Sequence, residues 1–205
     1  MEAGPDLERT LGGRVAGIDE AGRGPWAGPV VAAAVILDYA RIPPGIDDSK
    51  RLTARRRAAL FEALIAVAEV GIGRASVEEI DAMNIAQATA LAMRRAVAEL
   101  PAPPDFALVD GRHVPPGLPC RARALVGGDG RSLAVAAASI VAKVTRDRIM
   151  AELAREWPGY GWERNAGYGV PEHAAALARL GVSPHHRRSF RPVHKILCQY
   201  RPITA

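Results

Sequence analysis

Two cysteines, Cys120 and Cys198, are all that this 205-residue chain contains. They stand far apart and in no CxxC pair, so neither a disulfide framework nor a zinc site follows, and a reducing compartment fits. Long apolar runs are also missing. The most apolar stretch, residues 30–37, falls far short of the ~20 residues a spanning helix needs. The N-terminus, MEAGPDLERTLGG, is acidic and has no apolar core, which argues against a secretory signal. GRGPWAG lacks the Lys-Ser/Thr that would complete a P-loop. No internal repeat and no low-complexity linker interrupts the chain. The expectation is one cytoplasmic domain, with at most a small appendage, acting as a monomer and not at a membrane.

Apolar residues make up 49% of the chain, enough for a sizeable core. Lys and Arg number 27 against 22 Asp and Glu, a net charge of +5. A pI near 9.7 favours an anionic partner, most often nucleic acid. The basic residues cluster at 50–51, 55–57, 94–95 and 187–195, although solvated helix faces would give the same pattern.

Arg14 to Asp19 and residues 30–37 read as strands joined through a Gly/Pro turn, a hairpin. Thr53 is placed to cap a helix running to about Glu69, with Leu60, Leu64 and Val67 at helical spacing. Residues 70–75 read as a short strand. Asn84 is placed to cap a helix that ends before Pro101. DFALVDG and RARALVGGDG read as two strands, each ending in a Gly/Asp turn. Residues 133–156 read as a long helix whose opening, AVAAASIVAKV, is small enough to pack closely on a sheet. Beyond Trp157 the texture changes to short helices. The order indicates an α/β or α+β domain on a mixed sheet.

The acids carry the chemistry. Asp19 and Glu20 are adjacent, and neighbours on a regular strand point to opposite faces. They could share a ligand only where the strand stops being regular, and the glycines at 17, 22 and 24 supply that freedom. Asp110 and Asp129 follow the next two apolar strands, and Asp147 lies on the long helix. Each alone reads as an ordinary turn or surface acid. Together, three strand ends deliver acids to what would be one sheet edge. Clustered carboxylates repel, which raises their pKa values unless a cation intervenes. Oxygen-only ligands select Mg²⁺ or Mn²⁺, and two such ions about 4 Å apart can drive phosphodiester hydrolysis.

GIDEAGRGPWAGPVVAAAVIL, DDSKRLT, LVDG, AAASIVAKVTRD, AGYG and HHRRSF, in that order from about Val15 to Lys195, closely resemble bacterial ribonuclease HII. The resemblance implies a ribonuclease-H-like fold: a mixed central sheet flanked by helices over residues 1–156, with a helical C-terminal extension over 157–205 packed on it. Residues 1–13 are expected to be a flexible N-terminal segment. It implies cleavage of the RNA strand of RNA–DNA hybrids, and incision on the 5′ side of single ribonucleotides embedded in duplex DNA. It implies that Asp19, Glu20, Asp110 and Asp129 are the catalytic, metal-binding carboxylates. It also implies that the backbone of Gly22-Arg23-Gly24 reads the ribose 2′-OH and that Tyr168 packs on the sugar. Lys50, Lys143, Arg146 and Arg187-Arg188 are expected to contact phosphates. Lys143 and Asp147 would equally suit an i,i+4 ion pair.

Asp147 is the rival of Asp129 as fourth acid. His185 and His186 are expected to be structural or phosphate-facing, with a catalytic acid as the other reading. Three positions depart from the family pattern. Gly127 stands where many members carry a lysine two residues before the fourth acid. Ala166 and Val170 replace a lysine and a threonine around Gly-Tyr-Gly. Arg123, Arg131 or Arg164 would have to compensate for the lost cations. Two other readings stand beside this one: a metal-dependent nuclease or integrase of another ribonuclease-H-like branch, and a nucleic-acid-binding protein with structural Mg²⁺. The closing HKILCQYRPITA carries no obvious clamp-binding motif, so no protein partner is expected.

Overall fold

A computed structural model of the chain describes residues 6–199, and the last six residues of the closing segment lie outside them. Five strands form one sheet in the order β3-β2-β1-β4-β5, with β1 at Val15–Ala21, β2 at Val30–Ile36, β3 at Glu69–Ala75, β4 at Phe106–Asp110 and β5 at Arg121–Leu125. The first three strands are antiparallel neighbours, whereas β1, β4 and β5 run parallel. The sheet is therefore mixed, as the strand and helix pattern indicates. The eight helices described are α1 Asp6–Leu11, α2 Ala54–Val67, α3 Val77–Met83, α4 Ile85–Ala98, α5 Leu133–Glu156, α6 Trp162–Asn165, α7 Pro171–Leu180 and α8 Arg191–Gln199.

Two apolar layers sandwich the sheet. Ala16, Ile18, Ala32 and Ala34 face α4. Ala33, Val35 and Leu37 face α5 and α2. The alternation follows from the strand period of two. The small residues opening α5 permit close approach. A β-carbon on Gly17 would stand 2.1 Å from the main chain of Ala134, so strand and helix meet backbone to backbone.

The caps read from the sequence are present. The Thr53 side chain accepts from Arg56 N, and Asn84 Oδ1 accepts from Ala86 N and Gln87 N. α3 is an element beyond those expected from the sequence, and Ser76 and Glu79 form a reciprocal capping box at its start. The flexible N-terminal segment is corrected over the described residues. α1 inserts Glu8, 2% exposed, against the start of α5, where Glu8 Oε1 accepts from Ser132 Oγ at 2.7 Å and Ala134 N at 3.0 Å. A carboxylate at a helix N-terminus satisfies free amides and suits the helix dipole.

Candidate active site

Because β1 and β4 are parallel with Ile18 opposite Val109, Asp19 and Asp110 stand one step further on, at the same end of neighbouring strands. β5 runs parallel beyond, with Leu125 opposite Asp110, and Asp129 follows in the 3₁₀ turn Gly128–Gly130. Three carboxyl ends of parallel strands thus deliver acids to one sheet edge, the usual place for a ligand in an open α/β sheet.

The strand does not stop at Asp19, contrary to expectation. β1 stays regular through Ala21, with Asp19 opposite Ala33 and Glu20 opposite Ala32. Asp19 therefore lies on the α5 face, against Ser139, and Glu20 on the α4 face. Only the longer Glu side chain, at the edge, can turn back towards its neighbour.

The acids are held by their own surroundings. Asp19 Oδ1 accepts from Glu20 N at 2.7 Å, Asp110 Oδ1 from Gly128 N at 2.8 Å, and Asp129 Oδ1 from Gly130 N at 2.9 Å. Ser139 lines the cleft beside Asp19, and its hydroxyl lies 2.7 Å from that of buried Ser49. Burial, then Glu20 and Asp110, push the Asp19 carboxyl well above the usual range. Burial also raises Glu20, with Asp110 adding to it and Arg23 opposing. Asp129 is raised by burial and by Asp48 and Asp110, against Lys50. Burial alone would lower the Lys50 ammonium, but Asp129, Asp48, Asp19 and Asp110 outweigh it and raise it.

This all-oxygen donor set suits a hard divalent cation. Among the described residues, no three acids, histidines or cysteines already form a closed ligand set, so side chains would turn to complete one.

A cleft of about 280 Å³ gathers Asp19, Glu20, Gly22, Arg23, Gly24, Lys50, Asp110, Lys143, Arg146 and Tyr168. Asp129 borders it through Lys50, whose Nζ lies 3.8 Å from Asp129 Oδ2. Asp147 is engaged elsewhere, paired with Lys143 at 2.6 Å. The half-exposed Tyr168 ring lies against Gly24: a β-carbon there would be 3.6 Å from Tyr168 Cε1.

Two expected phosphate contacts require correction. Arg146 is 1% exposed and Arg187 is 0% exposed. Arg146 donates to the carbonyls of Pro29, Ala166 and Ala27. Arg187 donates to those of Gly28, Arg23, Gly22 and Pro29. Buried guanidinium groups keep their charge at least cost when hydrogen-bonded; Arg187 is spent on the loop between β1 and β2, and Arg146 ties that loop to Ala166. Arg188 is fixed through its main-chain N, which donates to Asp81. Arg164 pairs with Glu163 and Glu172, so its charge is already matched. His186 is fully buried, and burial and the neighbouring His173 and His185 push it down to about 3. It is structural; a catalytic acid needs substrate access and a pKa near the working pH.

The sequence reading missed Ser49, Ser139 and Asp48. Two of these lie in the quoted stretch DDSKRLT and one in AAASIVAKV. Their signal was a small polar residue kept inside an apolar or basic motif.

The family model described as Ribonuclease HII matches residues 16–193. A Ribonuclease HII from Jannaschia sp. (strain CCS1) is 61% identical over 197 residues, covering 95% of this chain and 99% of that one. The crystal structure of the ribonuclease H2 from Pyrococcus horikoshii OT3 superimposes with a TM-score of 0.79 at 31% identity, covering 92% and 99% of the two chains. Bst-RNase HIII in complex with Mn²⁺ shares the fold, with a TM-score of 0.76 at 21% identity over 93% and 71%.

Proposed function

The chain belongs to the ribonuclease HII family, and from that premise we propose that this ribonuclease H incises duplex DNA on the 5′ side of an embedded ribonucleotide, besides cutting the RNA strand of hybrids. The observation that carries the reading is the meeting of Asp19, Glu20 and Asp110 with Gly22-Arg23-Gly24 and Tyr168 in one cleft.

In this reading Asp19, Glu20, Asp110 and Asp129 hold divalent cations, Mg²⁺ or Mn²⁺. A relative of the same fold is named as a Mn²⁺ complex. Bound as a pair, such ions supply an activated water and charge stabilisation at the leaving oxygen. Burial first, and neighbouring carboxylates after it, raise Asp19 and Asp129; a cation would relieve the repulsive part, which supports the assignment. Asp129 is preferred to Asp147 as fourth acid, because it lies near enough to feel the Asp110 charge while Asp147 is matched by Lys143.

The chain's own groups orient and select the substrate. The Gly22-Arg23-Gly24 backbone bonds the ribose 2′-OH, which both donates and accepts. Tyr168 packs on the sugar, and Lys50 and Lys143 meet phosphates. The metal-dependent nuclease or integrase of another branch would cut without reading a 2′-OH. Two free cysteines, Cys120 and Cys198, suit the cytoplasmic setting that belongs to this proposal. Among the described residues no helix is long and apolar enough to cross a membrane.

The test is a DNA duplex containing one ribonucleotide, incubated with and without Mg²⁺ or Mn²⁺, with the cut mapped. A metal-dependent nick leaving the ribonucleotide at the 5′ end of the downstream product is expected. Equal cutting of an all-DNA duplex would overturn the reading.

A further inference from the structure

Tyr168 meets the cleft with its ring, but its main chain is held from the opposite side. Behind it, in the first turn of α7, lies His173, fully buried. His173 Nδ1 lies 2.9 Å from the Tyr168 carbonyl, which also accepts from Val170 N at 2.9 Å. A carbonyl only accepts, so Nδ1 carries the proton, and in a neutral ring Nε2 is then an acceptor. Two donors converge on that Nε2. Trp162 Nε1 donates at 3.1 Å, and His186 Nε2 lies 3.0 Å away. Ser183 N donates to His186 Nδ1 at 3.1 Å, which leaves the His186 proton on Nε2, facing His173. Every tautomer in the chain Ser183–His186–His173–Tyr168 is thereby fixed.

This network lies outside the acids and the cleft, and the hydrolytic chemistry does not use it. It leads from a buried cluster of Trp162, Tyr160 and Leu177 to one backbone atom of a half-exposed tyrosine. The rest of the loop is braced in the same direction. Trp26 N donates to the Gly167 carbonyl at 2.8 Å, and Gly169 has no room for a β-carbon, which would lie 2.1 Å from the Trp26 ring.

We propose that His173 is a positioning residue for Tyr168, with His186 and Trp162 locking its tautomer, so that the tyrosine ring is set against Gly24 before a sugar arrives. The proposal rests on the reading of Tyr168 given above and deepens it. Its physical content is preorganisation. A ring displaced by about an ångström would lose on the order of a hundredfold in rate without any change at the reacting atoms. An imidazole held by two buried side chains and a main-chain carbonyl cannot drift as a solvated side chain would.

A double-mutant cycle separates positioning from mere stability, because a residue acting through Tyr168 has nothing to act on once that ring is gone. His173→Leu removes both ring nitrogens. His173→Asn keeps a donor near the Nδ1 position. Each is made alone and with Tyr168→Ala, and kcat and KM are measured on a single-ribonucleotide duplex and on a uniform RNA–DNA hybrid. His173→Leu is expected to lower kcat/KM on the single-ribonucleotide duplex about tenfold or more, with His173→Asn recovering most of the loss. In the Tyr168→Ala background the same change should cost less than about threefold.

Equal fold-losses in both backgrounds would overturn the proposal, leaving His173 a residue of the core only. If His173→Leu does not fold, Trp162→Phe replaces it in the cycle, because it removes one donor and spares the imidazole. The same pattern is then expected, and additivity overturns the proposal as before. If Tyr168→Ala alone costs nothing on the single-ribonucleotide duplex, the role of Tyr168 itself falls and the proposal with it. That result is distinct from an additive cycle, in which Tyr168→Ala is harmful.

Discussion

Asp19 sits 7% exposed beside Glu20 and near Asp110, a place that favours its neutral form. A carboxyl whose folded pKa lies above its unfolded value binds more protons in the folded state between those two values. Stability of the metal-free protein should therefore fall as pH rises through that window and be regained on acidification within it. Asp19→Asn removes the conflict. Its metal-free melting temperature should rise, by roughly 2–4 °C for each kcal/mol relieved, while cleavage falls by about a thousandfold or more, as several kcal/mol of charge stabilisation disappears. Added Mg²⁺ should raise the melting temperature of the wild type and much less that of Asp19→Asn. A variant with lower metal-free stability and normal cleavage would sink the assignment. The two glycines of the next turn separate in the same way. Gly22 has φ 97° and a β-carbon there would lie 2.0 Å from Arg146 Nε, whereas Gly24 has ordinary φ and meets only Tyr168 at 3.6 Å. Gly22→Ala should unfold the loop and cost stability as well as activity. Gly24→Ala should leave the melting temperature near wild type and reduce cleavage of the single-ribonucleotide duplex. Equal melting temperatures for the two variants would contradict this geometry.

At the scale of elements, the sheet edge is built by helix caps and buried arginines as much as by strands. Arg187 bonds four main-chain carbonyls of the segment between β1 and β2, and burial followed by Arg146 lowers it to about 9. Arg187→Met leaves those carbonyls buried without their partner, at about 1–3 kcal/mol for each that water cannot reach. A loss of several kcal/mol is expected in denaturant unfolding, together with loss of 2′-OH discrimination in whatever folds. At the other end of the sheet, Glu8→Ala should cost about 1–3 kcal/mol by freeing Ser132 and Ala134 N; an unchanged unfolding midpoint would mean α1 does not dock in solution. These two elements also mark where the sequence was and was not legible. Strand alternation, the Thr53 and Asn84 caps and the small-residue face of α5 are local signals, and each element stands where its signal put it. Arg187 bonds residues about 160 positions away, and Glu8 bonds Ser132 across 124. An arginine at such a place reads in sequence as a surface cation, because no local periodicity distinguishes a phosphate contact from a carbonyl bracket. Asp110 and Asp129 were legible as acids at or just beyond strand ends, whereas Asp19 lies inside β1, which runs on to Ala21. That Asp19 and Glu20 take opposite faces was not legible, because it depends on β1 staying paired with β2 through Ala21.

For the molecule as a whole, the excess of five positive charges and the acid-lined cleft must act together. A polyanion has to be drawn towards a centre that repels it. Basic residues around the rim can do this only if they are free to meet phosphates, and the structure divides the candidates. Arg146 and Arg187 are buried and committed. Lys50 is mostly exposed, with Nζ 3.8 Å from Asp129, and Lys143 lines the cleft while pairing Asp147. Each phosphate contact made by a free cation releases a counterion, so affinity for duplex falls with salt at a slope of roughly −0.9 per contact. Lys50→Ala should flatten that slope by about one contact and leave the unfolding free energy within about 0.5 kcal/mol of wild type, as for a surface change. Arg187→Lys should do the reverse: a smaller fork matches fewer carbonyls, so stability drops while the slope is kept. Binding is measured by titrating a hybrid duplex at several salt concentrations in the presence of Ca²⁺, which allows binding without requiring turnover. If Arg187→Lys flattened the slope and Lys50→Ala did not, the buried arginine would be reaching phosphate in solution, and the division between rim and bracket would be wrong.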